Sequence, residues 1–139
     1  MLRYRLIHPE ILAALGTAGH GSQILIADGN YPFVTGSPPT ARRVYLNLAP
    51  GLVNVTDVLA ALADAVPIEA AHVMVPDTGP EPPIFAEFRA LLPGLELQAL
   101  GRFPFYEAAR GPNTALVIAT GERRVYANIL LTIGVVPPE

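Results

Sequence analysis

Apolar and polar positions change their period several times along the chain, and each change marks an element. Between Pro9 and Thr17, apolar Ile11, Leu12 and Leu15 recur at helical spacing. Pro9 suits a first helical position, His8 stands where a cap would be, and Gly19 is the expected C-terminal cap. Gln23 to Ala27 then runs almost continuously apolar, which predicts a short strand covered on both faces. Val44, Leu46 and Leu48 alternate and predict a second strand. Thr56 is the expected cap of a helix from Asp57 to Val66, with the Asp57 carboxylate favourable at its positive end and Pro67 closing it. His72 to Val75 reads as a third strand. Ile84 to Leu92 reads as a helix with Phe85 and Phe88 on its apolar side, stopped by Pro93-Gly94. Leu95 to Leu100 is a fourth strand and Phe105 to Arg110 a helical turn. Thr114 to Thr120 and Asn128 to Ile133 are the last two strands. Six strands with interspersed helices predict an α/β protein, a three-layer α/β/α arrangement around one sheet. The sheet should be mixed, because the connection through Gly121, Glu122 and Arg123 is short for a parallel crossover.

Composition narrows this picture. A chain of 139 residues fits a single domain over 1–139. Hydrophobic residues make up 51%, a surplus that implies a large core or apolar surface covered by further subunits. No apolar run is long enough to span a bilayer, and only Leu6 and Ile7 separate Arg5 from His8-Pro9, so neither a membrane anchor nor a signal peptide is expected. A cytoplasmic location follows as the default. The net charge of −3 argues against a nucleic-acid footprint. With no cysteine, three histidines and no paired-histidine spacing, no metal site is expected. No nucleotide fingerprint and no Gly-x-Ser-x-Gly elbow occurs, so no nucleotide cofactor and no serine hydrolase chemistry is expected.

Candidate chemistry gathers at predicted strand ends. His20 stands between Gly19 and Gly21, where the backbone can bend sharply and a ligand can approach. An imidazole there can act as general acid or base, or can simply bond to nearby backbone. Asp28 ends the first strand, where open α/β sheets place ligands. It can hold a hydroxyl, orient His20, or start a turn before Gly29. The loop from Asp28 to Arg42 is long and rich in Gly, Pro, Ser and Thr, as functional loops often are. Arg102 offers several donors to a polyhydroxyl ligand, or a partner to Glu107 or Glu122; Tyr106 offers an aromatic face, or core packing. Tyr126 and Asn128 share a side if the last strand begins there.

Taken in order, these pieces resemble one family. The Pro9-Glu10-Ile11-Leu12 helix start, Gly19-His20-Gly21, Asp28 with Pro32, Arg102-Phe103-x-Phe105-Tyr106-Glu107, and Gly121-Glu122-Arg123 with Tyr126-x-Asn128-Ile129-Leu130-Leu131 are similar to the RbsD/FucU family of sugar mutarotases and pyranases. The resemblance spans nearly the whole chain and is nearer the fucose mutarotase branch. It implies an RbsD-like fold, interconversion of monosaccharide anomers without a cofactor or metal, and a ring-shaped cytosolic homo-oligomer with sites near subunit contacts. It puts the proton donor at His20 and sugar contacts at Asp28, Arg102, Tyr106, Tyr126, the Ala127 backbone and Asn128. The loop departs from that branch, carrying Gly29-Asn30-Tyr31 where histidine and phenylalanine are usual, which bears on which sugar is taken. The alternatives are conversion of ribose between pyranose and furanose forms, a non-catalytic sugar-binding or transport-accessory protein, and a purely structural ring.

Overall fold

The computed structural model describes residues 1–139. Its elements in chain order are α1 (Pro9–Thr17), β1 (Gln23–Ala27), β2 (Arg42–Tyr45), α2 (Val55–Ala65), β3 (Ile68–Met74), α3 (Ile84–Leu91), β4 (Leu97–Leu100), α4 (Arg102–Ala109), β5 (Thr114–Ala119) and β6 (Ile129–Ile133). The six strands form one sheet in the order β2-β5-β1-β6-β3-β4. β6 runs antiparallel to both its neighbours, and the remaining pairings are parallel, so the sheet is mixed as expected. The short β5–β6 connection makes no hairpin. β1 lies between the two strands, and the link passes over its end.

Period-two alternation in β1 feeds two cores at once. Ile24 and Ile26 join Leu116 and Ile118 beneath α1, α2 and α3, which bury Ile11, Leu59, Leu62, Phe85 and Phe88. Leu25 and Ala27 face the opposite way, with Val117 and Leu130, onto Phe105 and Ala109 of α4. Each fully buried side chain of this size stabilises the fold by about 1.5–3 kcal/mol.

Several boundaries differ from the sequence reading. Asn54, not Thr56, opens α2: its N–H donates to Asp57 at 3.0 Å, so the helix starts at Val55. β3 begins four residues earlier than expected, because pairing with β6 extends back to Ile68 opposite Ile133. Alanines at 70 and 71 carry little strand signal of their own. α4 begins at Arg102 rather than Phe105, since Pro104 falls in the first turn, where its missing N–H costs nothing. β6 starts only at Ile129, which leaves Tyr126 and Asn128 in the approach to the strand. α1 ends on Ala18, whose N–H bonds to Ala14 and Leu15, and the left-handed turn falls at Gly21 (φ 84°) rather than Gly19. His8 does cap α1, its Nδ1 accepting from the Ile11 N–H at 3.3 Å.

Candidate active site

Five strands run the same way, and their carboxyl ends meet the start of β6 at one edge of the sheet. A pocket of about 270 Å³ opens there. Asp28 comes from the end of β1, Asn30 and Tyr31 from the loop after it, and Met74 from the end of β3. Arg102 and Tyr106 come from the first turns of α4, and Val125, Tyr126 and Asn128 from the β5–β6 connection. Three groups separated in sequence, Asp28, Arg102 with Tyr106, and Tyr126 with Asn128, therefore line one cavity.

Asp28 is its fixed point. The side chain is almost fully buried, and it accepts from the N–H of Asn30 at 2.9 Å and of Ala127 at 3.2 Å. Its own N–H donates to Asn128 Oδ1 at 2.7 Å. The turn-starting role and the pocket-lining role are thus held by the same carboxylate. Burial pushes this carboxyl above the ordinary aspartate value; the N–H groups of Asn30, Ala127 and Tyr31 and the Asn128 amide pull the other way without cancelling the rise. Because Asn128 uses Oδ1 on the backbone, its NH₂ end remains as a donor. The Ala127 N–H is engaged by Asp28, and Ala127 itself is fully buried.

Aromatic rings set the wall. Tyr31 is buried, donates to the Gly36 carbonyl at 2.7 Å and meets Tyr106 edge-on at 5.4 Å. Gly36 admits no side chain, since a Cβ there would lie 2.7 Å from the Tyr31 ring. Tyr126 is the one non-glycine residue with left-handed backbone (φ 57°), a strained conformation imposed where the chain bends into the pocket. Arg102 takes neither acidic partner expected of it. Glu107 pairs with Arg110 at 2.7 Å, and Glu122 with Arg124 at 2.9 Å, while the Arg102 guanidinium lies 6.0 Å from the Phe103 ring.

Glu122 fixes the connection that carries Tyr126 and Asn128. It is buried and accepts from the Arg124 N–H and side chain and from the Val55 N–H at the start of α2. Burial alone would raise its carboxyl, but the Arg124 guanidinium and these N–H groups outweigh that and hold it below the ordinary glutamate value. A larger, open groove of about 490 Å³ lies beside it, lined by Asn47, Pro50 and Arg123 among others. Its only carboxylate, Glu122, is already committed to Arg124 and α2.

His20 is elsewhere. It precedes β1, so the strand's five residues, about 16 Å at the usual rise, separate it from Asp28. Within one chain Asp28 therefore does not orient His20. The imidazole is 59% exposed and contacts Glu69 at the start of β3. Met74, Val125 and Glu69 were not singled out from sequence. Met74 and Val125 become visible only once β3 and the β5–β6 connection are known to share the edge with Asp28.

Against this geometry, the RbsD / FucU transport protein family model matches residues 1–136. The chain belongs to that family. It is 34% identical over 150 residues to a fucose mutarotase of Bos taurus, covering 96% of this chain and 92% of that one. It is also 34% identical over 138 residues to a D-ribose pyranase of Paracidovorax citrulli, covering 97% and 98%. The fold superposes with a TM-score of 0.85, at 27% identity and over 99% of this chain and 100% of the other, on a fucose mutarotase in complex with L-fucose from Streptococcus pneumoniae. No helix is long and apolar enough to cross a membrane.

Proposed function

We propose that this protein is a sugar mutarotase, an isomerase that interconverts the α and β anomers of a fucose-like monosaccharide. The observation that carries the reading is the convergence of Asp28, Arg102, Tyr106, Tyr126 and Asn128 on one small pocket. At about 270 Å³ it falls just below the roughly 300–1,000 Å³ of sites for drug-sized ligands, a size suited to a single sugar ring. The Asp28 carboxylate accepts from sugar hydroxyls, and Arg102 and the Asn128 NH₂ donate to them. Tyr106 and Tyr126 give faces for C–H groups, and Met74 and Val125 add apolar surface suited to a deoxy carbon.

His20 of a neighbouring copy completes this site. Two features support a shared site: His20 is exposed at the opposite edge of its own sheet, and Leu48 (84%) and Phe103 (70%) leave apolar surface for a partner to cover. In the reaction, the C1–O5 bond breaks as O5 takes a proton from the imidazolium. The anomeric O–H proton passes to water and the C1 carbonyl forms. After rotation about C1–C2, O5 attacks the other face of C1 and returns its proton to the imidazole, while the carbonyl oxygen takes a proton back from water to restore the anomeric hydroxyl. Residues 1–139 act as one domain, in a cytoplasmic homo-oligomer.

Saturation-transfer NMR on fucose, ribose and galactose tests the proposal. Faster anomer exchange with the protein present is expected, largest for a fucose-like sugar. Binding without faster exchange would make the protein a carrier and overturn the reading. Exchange confined to ribose ring forms would shift it to a pyranase.

A further inference from the structure

We infer that Arg43 is the positioning residue of the pocket's tyrosine wall, and that through this wall it sets which monosaccharide fits. The inference rests on the mutarotase reading above and deepens it. Arg43 lies on β2, the edge strand, in register with Val117 of β5. Val44 enters the core beneath α1, α2 and α3, so period-two alternation turns Arg43 and Tyr45 to the other face. The loop after β1 lies there, and Tyr45 meets its Phe33 edge-on at 6.2 Å. The Arg43 guanidinium reaches four acceptors of one short turn in that loop. Nε donates to the Phe33 carbonyl at 3.4 Å and to Ser37 Oγ at 3.1 Å. Nη2 donates to the Val34 carbonyl at 3.2 Å and to the Pro38 carbonyl at 3.1 Å. No carboxylate pairs with this guanidinium.

The turn carries this grip to the sugar pocket. Gly36 sits between the clamped residues. Its N–H donates to the Pro32 carbonyl at 2.7 Å, and its carbonyl accepts from the Tyr31 hydroxyl at 2.7 Å. Ser37 closes the turn by donating to the Phe33 carbonyl at 2.6 Å. The Tyr31 hydroxyl is therefore engaged inside the loop and is not offered to the sugar. Its ring, edge-on to Tyr106, borders the pocket, and the tether at the hydroxyl fixes the ring's torsions and with them the pocket's width. A phenylalanine at this position would pack in the same space without that tether. An arginine suits the other end of the chain of contacts, because a planar fork bonds several acceptors at once, which a lysine ammonium does not match. Arg42, next in sequence, is exposed, hydrogen-bonds to nothing in the chain and borders a different cavity. The two arginines share a charge, and only one of them holds the wall.

The test measures kcat and KM for fucose, ribose and galactose by saturation-transfer NMR on the assembled protein. Galactose carries one more oxygen than fucose, and ribose one carbon fewer. Arg43→Met, which keeps the length of the stem and removes every donor, should raise KM for the preferred sugar with kcat little changed. Its kcat/KM preference over the other two should narrow by about threefold or more. Tyr31→Phe should narrow the same preference, and the double variant should add little to either single one, because both break one chain of contacts. Arg43→Lys should fall between the parent and Arg43→Met. Arg42→Met should keep the parental preference. The inference falls if Arg43→Met lowers the unfolding midpoint yet keeps that preference, or if its loss is confined to kcat. It falls equally if the effects of Arg43→Met and Tyr31→Phe simply add, or if Arg42→Met matches Arg43→Met. If Arg43→Met does not fold, Arg43→Lys takes its place, and a parental preference there overturns the inference. A parent protein that speeds no sugar's exchange is a different failure, that of the mutarotase reading. The preference is then read from sugar Kd. A Kd ratio left unchanged by Arg43→Met, or no binding of any of the three sugars, overturns the inference as well.

Discussion

The two edges of the sheet are built on different principles. At the edge holding the strands' carboxyl ends, Asp28 is buried and gripped by two backbone N–H groups, and Glu122 nearby is buried and clamped by Arg124. At the other edge, His20 and Glu69 face outward with only each other as partner. In the proposed mutarotase the first edge is preorganised to hold a sugar's hydroxyls, and the cost of desolvating its carboxylates is met when the chain folds. The second presents a titratable ring that nothing in its own chain encloses. In the mechanism proposed here, the rigid half binds and the exposed half moves protons, and the two halves come from different copies.

Subunit mixing gives the sharpest break of that comparison. His20→Ala should lose the roughly 10²–10⁴-fold that a positioned acid or base contributes, with sugar affinity kept. Asp28→Ala should lose sugar affinity. Co-assembling the two variants should restore activity at sites that pair an intact pocket with an intact imidazole. Failure to recover any exchange would mean that one chain supplies both residues or that His20 is not the acid.

The next largest effect concerns Asp28 itself. Asp28→Ala leaves the buried Ala127 N–H without its acceptor, which should cost about 1–3 kcal/mol in chemical denaturation. The exposed edge should tolerate His20→Ala without a comparable loss.

pH should separate the edges as well. The Asp28 carboxyl is raised, so acidification protonates it sooner than an ordinary aspartate, and KM for the sugar should climb as pH falls through that raised value. For stability the sign reverses. A raised carboxyl favours the fold below its unfolded value and loses that contribution as pH rises through the folded one. Glu122, whose carboxyl is lowered, stabilises above its unfolded value and loses this as pH falls through the folded one. Glu122→Gln should therefore cost about 1–3 kcal/mol at neutral pH and flatten the acid limb of an unfolding curve. An unchanged acid limb would remove Glu122 from the clamp. The smallest effect is expected at Glu107, an exposed partner of Arg110, where Glu107→Ala should leave exchange rates within error.

Much of this was readable from residue order. The apolar run of β1, the spacing in α1 and the Gly-His-Gly corner are local signals, and local sterics and burial decide them. Asp28 could be placed at a strand end for the same reason. The start of β3 was not legible, because Ile68 to Ala71 join the sheet through pairing with β6 rather than through their own propensity. Nor was the start of α4, where Pro104 conceals a helix whose first residue is Arg102.

By itself, then, the sequence determined the fold class and the family pattern, and it offered the residues proposed to grip and protonate a sugar, since these depend on short-range periodicity and side-chain chemistry. The tertiary structure alone decided that Asp28, Arg102, Tyr106, Tyr126 and Asn128 share a pocket while His20 stands at the opposite edge beside Glu69. That division follows from strand order and direction. β6 inserts antiparallel between β1 and β3, bringing Asn128 to the ends of those strands and Ile133 to their starts. No local pattern in a chain encodes which strand will lie between two others.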